Sequence, residues 1–374
     1  MIQLSLKVGR LFGVEVRLHY TWFFIFVLLA WSLAWGYLPV GYPGQSDAFY
    51  WGVGAVSALM LFVSVLIHEV AHSVVAQRNK IKVNSITLYF LGGVSETAEE
   101  AHTPGAELRM AAAGPLTSVA LGIVFYSAFV LGGAALPVAV VAVLQYAGYI
   151  NIVLAVFNLI PAFPMDGGRV LRGIVWGRTK DILSSTRTVT NVSRVISFMF
   201  IGLGLFDTIY YSDFSGIWLL FIGLFVSSSA QASMNETRVT QALTGVTVGE
   251  MMTKDVKTVE PGLTLQQLKD YALTPTKHHG FPVVKDGELV GLVTDEDVRR
   301  VSPELWDERR VEQVMKGMKG LVTVGPGDAA VDALIKMAKA GVGRLPVVEG
   351  GKLVGIVTRS DFARVIQERL KFRS

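Results

Sequence analysis

Two imidazoles and a carboxylate stand together at His68-Glu69-Val70-Ala71-His72. On a helix, residues four apart share a face, so both histidines can reach one metal ion. A carboxylate beside the first of them can take a proton from water held by that metal. The surroundings sharpen this reading. The stretch from Phe49 to Gln77 carries no Lys or Arg, and His68 lies ten residues before Arg78. At ~1.5 Å per residue the first histidine sits roughly 15 Å below the first basic side chain, at a depth that belongs to hydrocarbon. Ionisable groups there cost about 2.5–3.5 kcal/mol each on insertion scales, so they are rarely kept without a role. The bland alternative is a polar helix face packed against neighbouring helices. A metal site inside the membrane accounts better for two histidines and a glutamate at this spacing.

A catalytic zinc ion usually takes three protein ligands and a water. The chain has no cysteine, which excludes disulfides and thiolate ligands, so any such site must use His and carboxylates. After His72 the candidates for a third ligand are Glu96, Glu99, Glu100, His102 and Asp166. The first four fall in a polar stretch that reads as solvated surface. Asp166 instead follows the broken segment Asn158-Leu-Ile-Pro161-Ala-Phe-Pro164-Met-Asp166-Gly-Gly-Arg169. Two prolines interrupt the helix there, and irregular backbone at membrane depth is tolerated only where it lines a cavity or is buried in protein. The glycines beside the carboxylate are expected to let the backbone come close to a metal or a substrate. The competing reading is an Asp that merely caps a helix starting at Gly167.

These residues need a scaffold, and composition says what kind. With 51% hydrophobic residues and a mean hydropathy of +0.47, the chain is too apolar for a soluble protein of 374 residues. Apolar runs of membrane length occur at about Leu18–Leu38, Phe49–Gln77, Leu108–Gly132, Pro137–Ile160, Val189–Phe206 and Phe214–Met234. Charge is concentrated elsewhere: 20 of the 34 Lys and Arg and 18 of the 30 Asp and Glu lie from Gly245 onward. The expected organisation is a six-span membrane domain over residues 1–244 followed by a soluble domain over 245–374. A net charge of +4 gives no indication of a nucleic-acid partner. Residues 1–20 lack the short apolar region and cleavage site of a signal peptide, so the first span is expected to be an uncleaved anchor. Basic residues flank one side of the spans and are missing from the turns around Pro43, Gly133 and Asp213. By the positive-inside rule both ends are expected to be cytoplasmic. The alternating segment Lys80–Glu96 predicts a strand or hairpin on that side, whose edge could pair with an extended substrate or could simply tie spans together. Ala113-Gly114-Pro115 predicts close helix approach and a kink near the site.

Over roughly Val8 to Glu236 the chain resembles the site-2 proteases, peptidase family M50, zinc metalloproteases that cut transmembrane segments within the bilayer. The resemblance rests on His68-Glu-Val-Ala-His72, Gly114-Pro115, and Asn158…Pro161…Pro164-Met-Asp166-Gly-Gly. It implies one zinc held by His68, His72 and Asp166, with Glu69 as the base and Asn158 near the substrate or the oxyanion. It further implies transmembrane-protein substrates and a multi-pass protein of the cell membrane. The connection from Lys80 to Thr103 is too short for the PDZ domain that some members carry, which fits the simpler archaeal and bacterial type.

The soluble part repeats itself at an offset of 64 residues: Phe281-Pro-Val-Val recurs as Leu345-Pro-Val-Val, and Gly291-Leu-Val-Thr294-Asp-Glu-Asp297 as Gly355-Ile-Val-Thr358-Arg-Ser-Asp361. Each repeat reads as strand, helix, short strand, glycine turn, strand and helix, at about 245–302 and 308–371. This is similar to a pair of CBS domains, an α/β module. The resemblance implies adenine-nucleotide binding, with Asp297 and Asp361 on ribose hydroxyls, Thr294 and Thr358 with helix-start amides on phosphate, and Arg344 and Arg359 assisting. The competing reading is a dimerisation module whose Thr and Asp only cap helices. The whole chain thus reads as an intramembrane zinc protease regulated by CBS domains. A CBS-gated transporter or channel is the rival, since such pairs often sit behind membrane domains. It would need intramembrane charge without a base between two zinc ligands, and the set His68, Glu69, His72 and Asp166 is intact. A binding scaffold that had lost activity would lack Glu69.

Overall fold

The computed structural model describes residues 5–89, 92–97, 101–133, 135–211, 215–270 and 279–371, with only the backbone for 94–97. The chain divides into two compact units, Met1–Asn235 and Glu236–Ser374.

The first unit opens with β1 (Ser5–Leu11) and β2 (Val14–His19), an antiparallel hairpin. Its two-residue turn takes positive φ at both Phe12 (48°) and Gly13 (80°), the geometry that matches strand twist. Glu15 sits between Lys7 and Arg17 at 2.5 and 2.7 Å, and these two cations lower its carboxyl pKa. The first span follows as α1 (Thr21–Ser32), a π-helical turn at Leu33–Tyr37, and α2 (Leu38–Gly41). α3 (Asp47–Arg78) starts at Ser46, whose hydroxyl accepts from the amide of Phe49. Then come β3 (Val83–Tyr89), β4 (Gly92–Thr97), α4 (Pro104–Gly132), α5 (Val138–Asn158), the shorter α6 (Asp166–Thr179), α7 (Ile182–Tyr210) and α8 (Gly216–Leu243).

Six of these helical stretches, the α1–α2 run, α3, α4, α5, α7 and α8, are long and apolar enough to cross a membrane. The six runs expected from the sequence coincide with them, although α3, α4, α7 and α8 extend further into polar flanks and α5 stops at Asn158. α3 is the central one. In its most apolar stretch 44% of residues are buried, against 17–33% in the others. It packs on α1, α4 and α5, whereas Leu131, Ile209 and Phe24 on the outer helices stay exposed, as lipid-facing side chains do. The four strands form one sheet in the order β1-β2-β3-β4, with β2 and β3 parallel and β4 at the edge. The hairpin over Lys80–Glu96 is thus present as β3–β4. The two strands before the first span are not among the elements expected from the sequence, although Val14, Val16 and Leu18 alternate with Glu15, Arg17 and His19 as a strand requires.

The second unit begins with the last turns of α8, then α9 (Val248–Met251) and α10 (Leu265–Leu268). β5 (Gly280–Lys285), β6 (Glu288–Thr294) and α11 (Asp295–Arg299) complete the first repeat. α12 (Val311–Val314), β7 (Lys316–Gly317), α13 (Ala330–Lys339), β8 (Arg344–Glu349), β9 (Lys352–Thr358) and α14 (Arg359–Lys371) form the second. The sheet order is β5-β6-β9-β8, joined at Glu288 and Lys352, with β7 on β6. Each hairpin buries equivalent apolar positions: Phe281, Val283, Val293 and Val298 in one core, Leu345, Val347, Val357 and Phe362 in the other. The opening strand expected in each repeat is reduced to a single bridge, Val259 with Val283 and Val324 with Val347. Proline or glycine at Pro261, Gly262, Gly325 and Pro326 cuts those strands short.

Candidate metal centre

α3 carries His68 and His72 on one face, one turn apart, and α6 brings Asp166 to the same point. Nε2 of His68 and Nε2 of His72 lie 3.1 Å apart, and Oδ2 of Asp166 lies 3.0 and 3.1 Å from them. All three residues are buried, with 3, 8 and 9% of their surface exposed. Among the described residues this is the one His/Cys/Asp/Glu group whose ligand atoms converge closely enough for a metal. Asp166 opens α6, yet its carboxylate faces the histidines instead of capping the helix. Nor do Gly167 and Gly168 approach a ligand, as the sequence suggested. A Cβ on Gly167 would overlap the carbonyls of Leu159 and Ile160, and one on Gly168 would meet Ala162 at 2.6 Å. The glycines let the Pro161–Met165 loop fold back over the first turn of α6, which aims Asp166.

The outer nitrogens of both rings are held by α4. Nδ1 of His72 lies 2.6 Å from the carbonyl of Met110, which can only accept, so Nδ1 carries a proton and Nε2 is the nitrogen turned toward the cluster. Nδ1 of His68 lies 2.9 Å from the hydroxyl of Ser118. Between these two positions, Gly114 leaves room for the imidazoles: a Cβ there would overlap Nε2 of both. The close approach expected at Gly114-Pro115 is therefore made to the ligand cluster itself.

Lone pairs that converge from three acceptors repel one another unless a cation or proton sits between them. Zinc bound tetrahedrally at ~2.0–2.1 Å separates its ligand atoms by about 3.3 Å, close to what these three show. Two histidines and a carboxylate, with each outer ring nitrogen fixed by a partner, also match the donor set and surrounding hydrogen bonds that zinc favours. The residues fit the metal. Glu69, half-buried, lies next to β4. A Cβ on Gly93 would come within 2.9 Å of Cδ and 3.2 Å of Oε1 of Glu69, so glycine at that point of the strand is what admits the carboxylate.

Comparison with known proteins gives the same answer along the whole chain. The profile of Peptidase family M50 matches residues 56–203. Rip3 of Mycobacterium tuberculosis, which bears a zinc metalloprotease name, is 35% identical over 97% of this chain and 93% of its own. Zinc metalloprotease MJ0392 of Methanocaldococcus jannaschii is 30% identical over 97% of this chain and 96% of its own. The chain belongs to peptidase family M50, the site-2 proteases. It is a multi-pass membrane zinc metalloendopeptidase. The CBS domain profile matches residues 248–304 and 311–368, so this site-2 protease carries a CBS pair. Among solved structures, the Site-2 Protease from Methanocaldococcus jannaschii aligns over 61% of this chain and 94% of that one, at 30% identity and a TM-score of 0.43.

Other residues singled out in the sequence are placed as follows. Asn158 ends α5 and donates from Nδ2 to the carbonyl of Leu154 at 3.0 Å. His102 is exposed and outside the three-residue cluster. The side chains of Glu96, Glu99 and Glu100 lie outside the described residues. In the CBS pair, Oδ2 of Asp297 accepts from the amide and hydroxyl of Thr294 at 3.0 and 2.6 Å, and Oδ2 of Asp361 accepts from Thr358 at 2.9 and 2.7 Å. Arg344 is half-buried and donates to the carbonyl of Gly280 at 2.9 Å, and burial lowers its pKa. Arg359 donates to the carbonyl of Val342 at 3.3 Å.

Sequence reasoning passed over the residues that hold the ligands: Met110, Ser118, Gly93, and an ion pair between Glu107 and Arg172. Nε of Arg172 donates to Oε1 of Glu107 at 2.6 Å, and Arg172 also covers the ring of Phe163 at 5.6 Å. Glu107 is fully buried and Arg172 is 7% exposed. This pair fastens α6 and the loop before Asp166 to the helix that positions the histidines. The sequence signals neither residue: Glu107 is two residues from Arg109, and Arg172 three from Arg169.

Proposed function

We propose that this protease hydrolyses peptide bonds inside the transmembrane segments of other membrane proteins, with zinc held by His68, His72 and Asp166 and with Glu69 as general base. The observation that carries this reading is the convergence of three acceptor atoms on one buried point, beside a glutamate on the same helix. When bound, zinc would supply the Lewis acidity that polarises a peptide carbonyl and acidifies water near neutral pH. Met110 sets the tautomer of His72, and Met110 and Ser118 together hold the two imidazoles with Nε2 pointing inward. Glu69 accepts a proton from the attacking water and returns it to the leaving nitrogen. Burial of the cluster excludes bulk water from those transfers.

A peptide bond in a helix is shielded by its own hydrogen bonds, so the substrate must unwind to reach the site. β4 is an edge strand, and its Gly93 borders Glu69, so an unwound segment paired along that edge would bring its backbone to the carboxylate. The basic flanks support a cytoplasmic side for both ends of the chain, and the cut would then fall in the cytoplasmic half of the substrate span. The CBS pair would bind an adenine nucleotide through Thr294, Asp297, Thr358 and Asp361, and it would regulate cleavage and support homodimerisation.

The test is metal analysis combined with cleavage of a single-span substrate by purified protein. About one zinc per chain is expected. His68→Ala, His72→Ala and Asp166→Ala should each lower it, while Glu69→Gln should keep the metal and lose turnover by several orders of magnitude. Full zinc and full activity in Asp166→Ala would remove it as a ligand, and retained cleavage by Glu69→Gln would remove Glu69 as the base.

A further inference from the structure

α7 and α8 border an open pocket of about 340 Å³ lined by Thr190, Arg194, Leu224, Ser227, Ser228, Ala230 and Gln231. No carboxylate lines it. We propose that it binds the phosphate of a membrane phospholipid headgroup, with Arg194 as the charged contact.

The first argument is depth. α7 is polar from Ser184 to Ser193 and apolar from Val195 to Leu205. α8 runs the other way, apolar from Ile217 to Val226 and polar from Ser227 onward. Two contacts fix the register of the pair: Ser197 donates to the carbonyl of Gly223 at 2.7 Å, and Thr190 to that of Ala230 at 3.4 Å. Both helices therefore change from polar to apolar at the same level, and the cavity lies at that level. In a bilayer this is the border between hydrocarbon and headgroups, where phosphates reside.

The second argument is charge. Arg194 has no hydrogen bond or ion pair among the described residues. Its neighbours Val195, Phe198 and Met199, and Leu224 across the cavity, are 60–65% exposed, which marks a surface turned to lipid. A guanidinium at such a place is costly without an anion, and neither helix offers one beside it. Arginine presents a planar fork of donors that matches phosphate oxygens. The hydroxyl of Ser227 also lacks a partner among the described residues and is a second donor facing the cavity. Arg187, exposed and seven residues earlier on α7, shares the face of Arg194 about 10.5 Å further toward the polar end. It extends the same positive stripe out of the hydrocarbon.

A phosphodiester in a lipid and a free phosphate ion share this chemistry, and the experiment separates them. Full-length protein is delipidated in neutral detergent and given phosphatidylglycerol, phosphatidylcholine or inorganic phosphate. Bound lipid is counted by native mass spectrometry, and thermal unfolding is followed in parallel. The wild-type chain should retain phosphatidylglycerol preferentially and unfold at a higher temperature with it. Arg194→Gln, at an exposed position, should fold normally and bind that lipid about tenfold more weakly, with Arg194→Lys intermediate. Equal retention by wild type and Arg194→Gln would overturn the proposal. So would stabilisation by inorganic phosphate that matches the lipid, since the site would then serve a free anion.

Discussion

Asp166, Asp297 and Asp361 are almost equally withdrawn from solvent, at 9, 7 and 9% exposure, yet they are satisfied in opposite ways. Each of the two CBS aspartates takes the amide and the hydroxyl of a threonine three residues before it, and at Thr294 and Asp297 this closes a helix-start capping box. Their partners are local and donating, and Asp361 adds the guanidinium of Arg364 at 3.0 Å, three residues further on. Asp166 instead meets two ring nitrogens from a helix almost a hundred residues away in sequence. A carboxylate satisfied within one helical turn forms whenever that turn forms. A carboxylate facing side chains of a distant helix is held there by everything else in the fold. Equal burial can therefore mark a structural corner or a reactive centre, and the nature of the partners tells them apart.

The comparison is broken most severely by filling the space under the imidazoles. Gly114→Ala puts a methyl group where both Nε2 atoms lie, so zinc content and activity should fall together to near background, as metal analysis beside a cleavage assay would show. Zinc retained at the wild-type level would mean that α4 can withdraw without disturbing the ligands. A smaller effect is expected from Arg172→Met, which leaves Glu107 buried and unpaired. Loss of one member of a buried pair costs on the order of 3–5 kcal/mol. Thermal unfolding should report it, and zinc affinity should fall because the Asp166 loop loses its tie to α4. The double variant Arg172→Met/Glu107→Leu should recover most of the stability but not the metal affinity, which separates positioning from packing. The mildest change is Asp297→Ala. Loss of a capping side chain costs ~0.5–2 kcal/mol. The change should appear in unfolding of the CBS unit, with zinc content untouched and binding of AMP, measured by calorimetry, reduced. A drop in zinc for this variant would erase the distinction drawn between the two kinds of carboxylate.

Much of this division could be read in the sequence, for reasons that differ along the chain. The spans were legible because little besides a bilayer calls for repeated apolar runs of that length, and the 64-residue repeat because its hairpins reuse the same apolar positions. His68, Glu69 and His72 were legible because helical periodicity places them without reference to anything else. Asp166 stood out by the prolines before it, although the glycines after it turned out to serve the loop and not a ligand. The supports were a different matter. The carbonyl of Met110 has no side-chain signature, and Ser118 is one of many serines in apolar helices. Glu107 and Arg172 become partners only when α4 and α6 pack. Gly93 acquires its meaning from Glu69, which approaches it through tertiary folding alone. Hydrogen bonds that cross between elements leave little trace in local pattern, and the whole supporting shell is of that kind.

The face of α4 turned toward the site collects Glu107, Met110, Gly114 and Ser118 at spacings of three, four and four residues. One rigid rod thus clamps α6, orients one imidazole, makes room for two and orients the other. Such an arrangement behaves like a key cut with four notches. A single residue inserted between Glu107 and Ser118 would turn every notch beyond it by about 100° and advance it by ~1.5 Å. No loop could absorb that error, because the notches lie within the rod and not at its ends. The length of this segment is therefore as tightly constrained as the identity of its residues, and a family member that had gained or lost one position here would have had to rebuild its metal site.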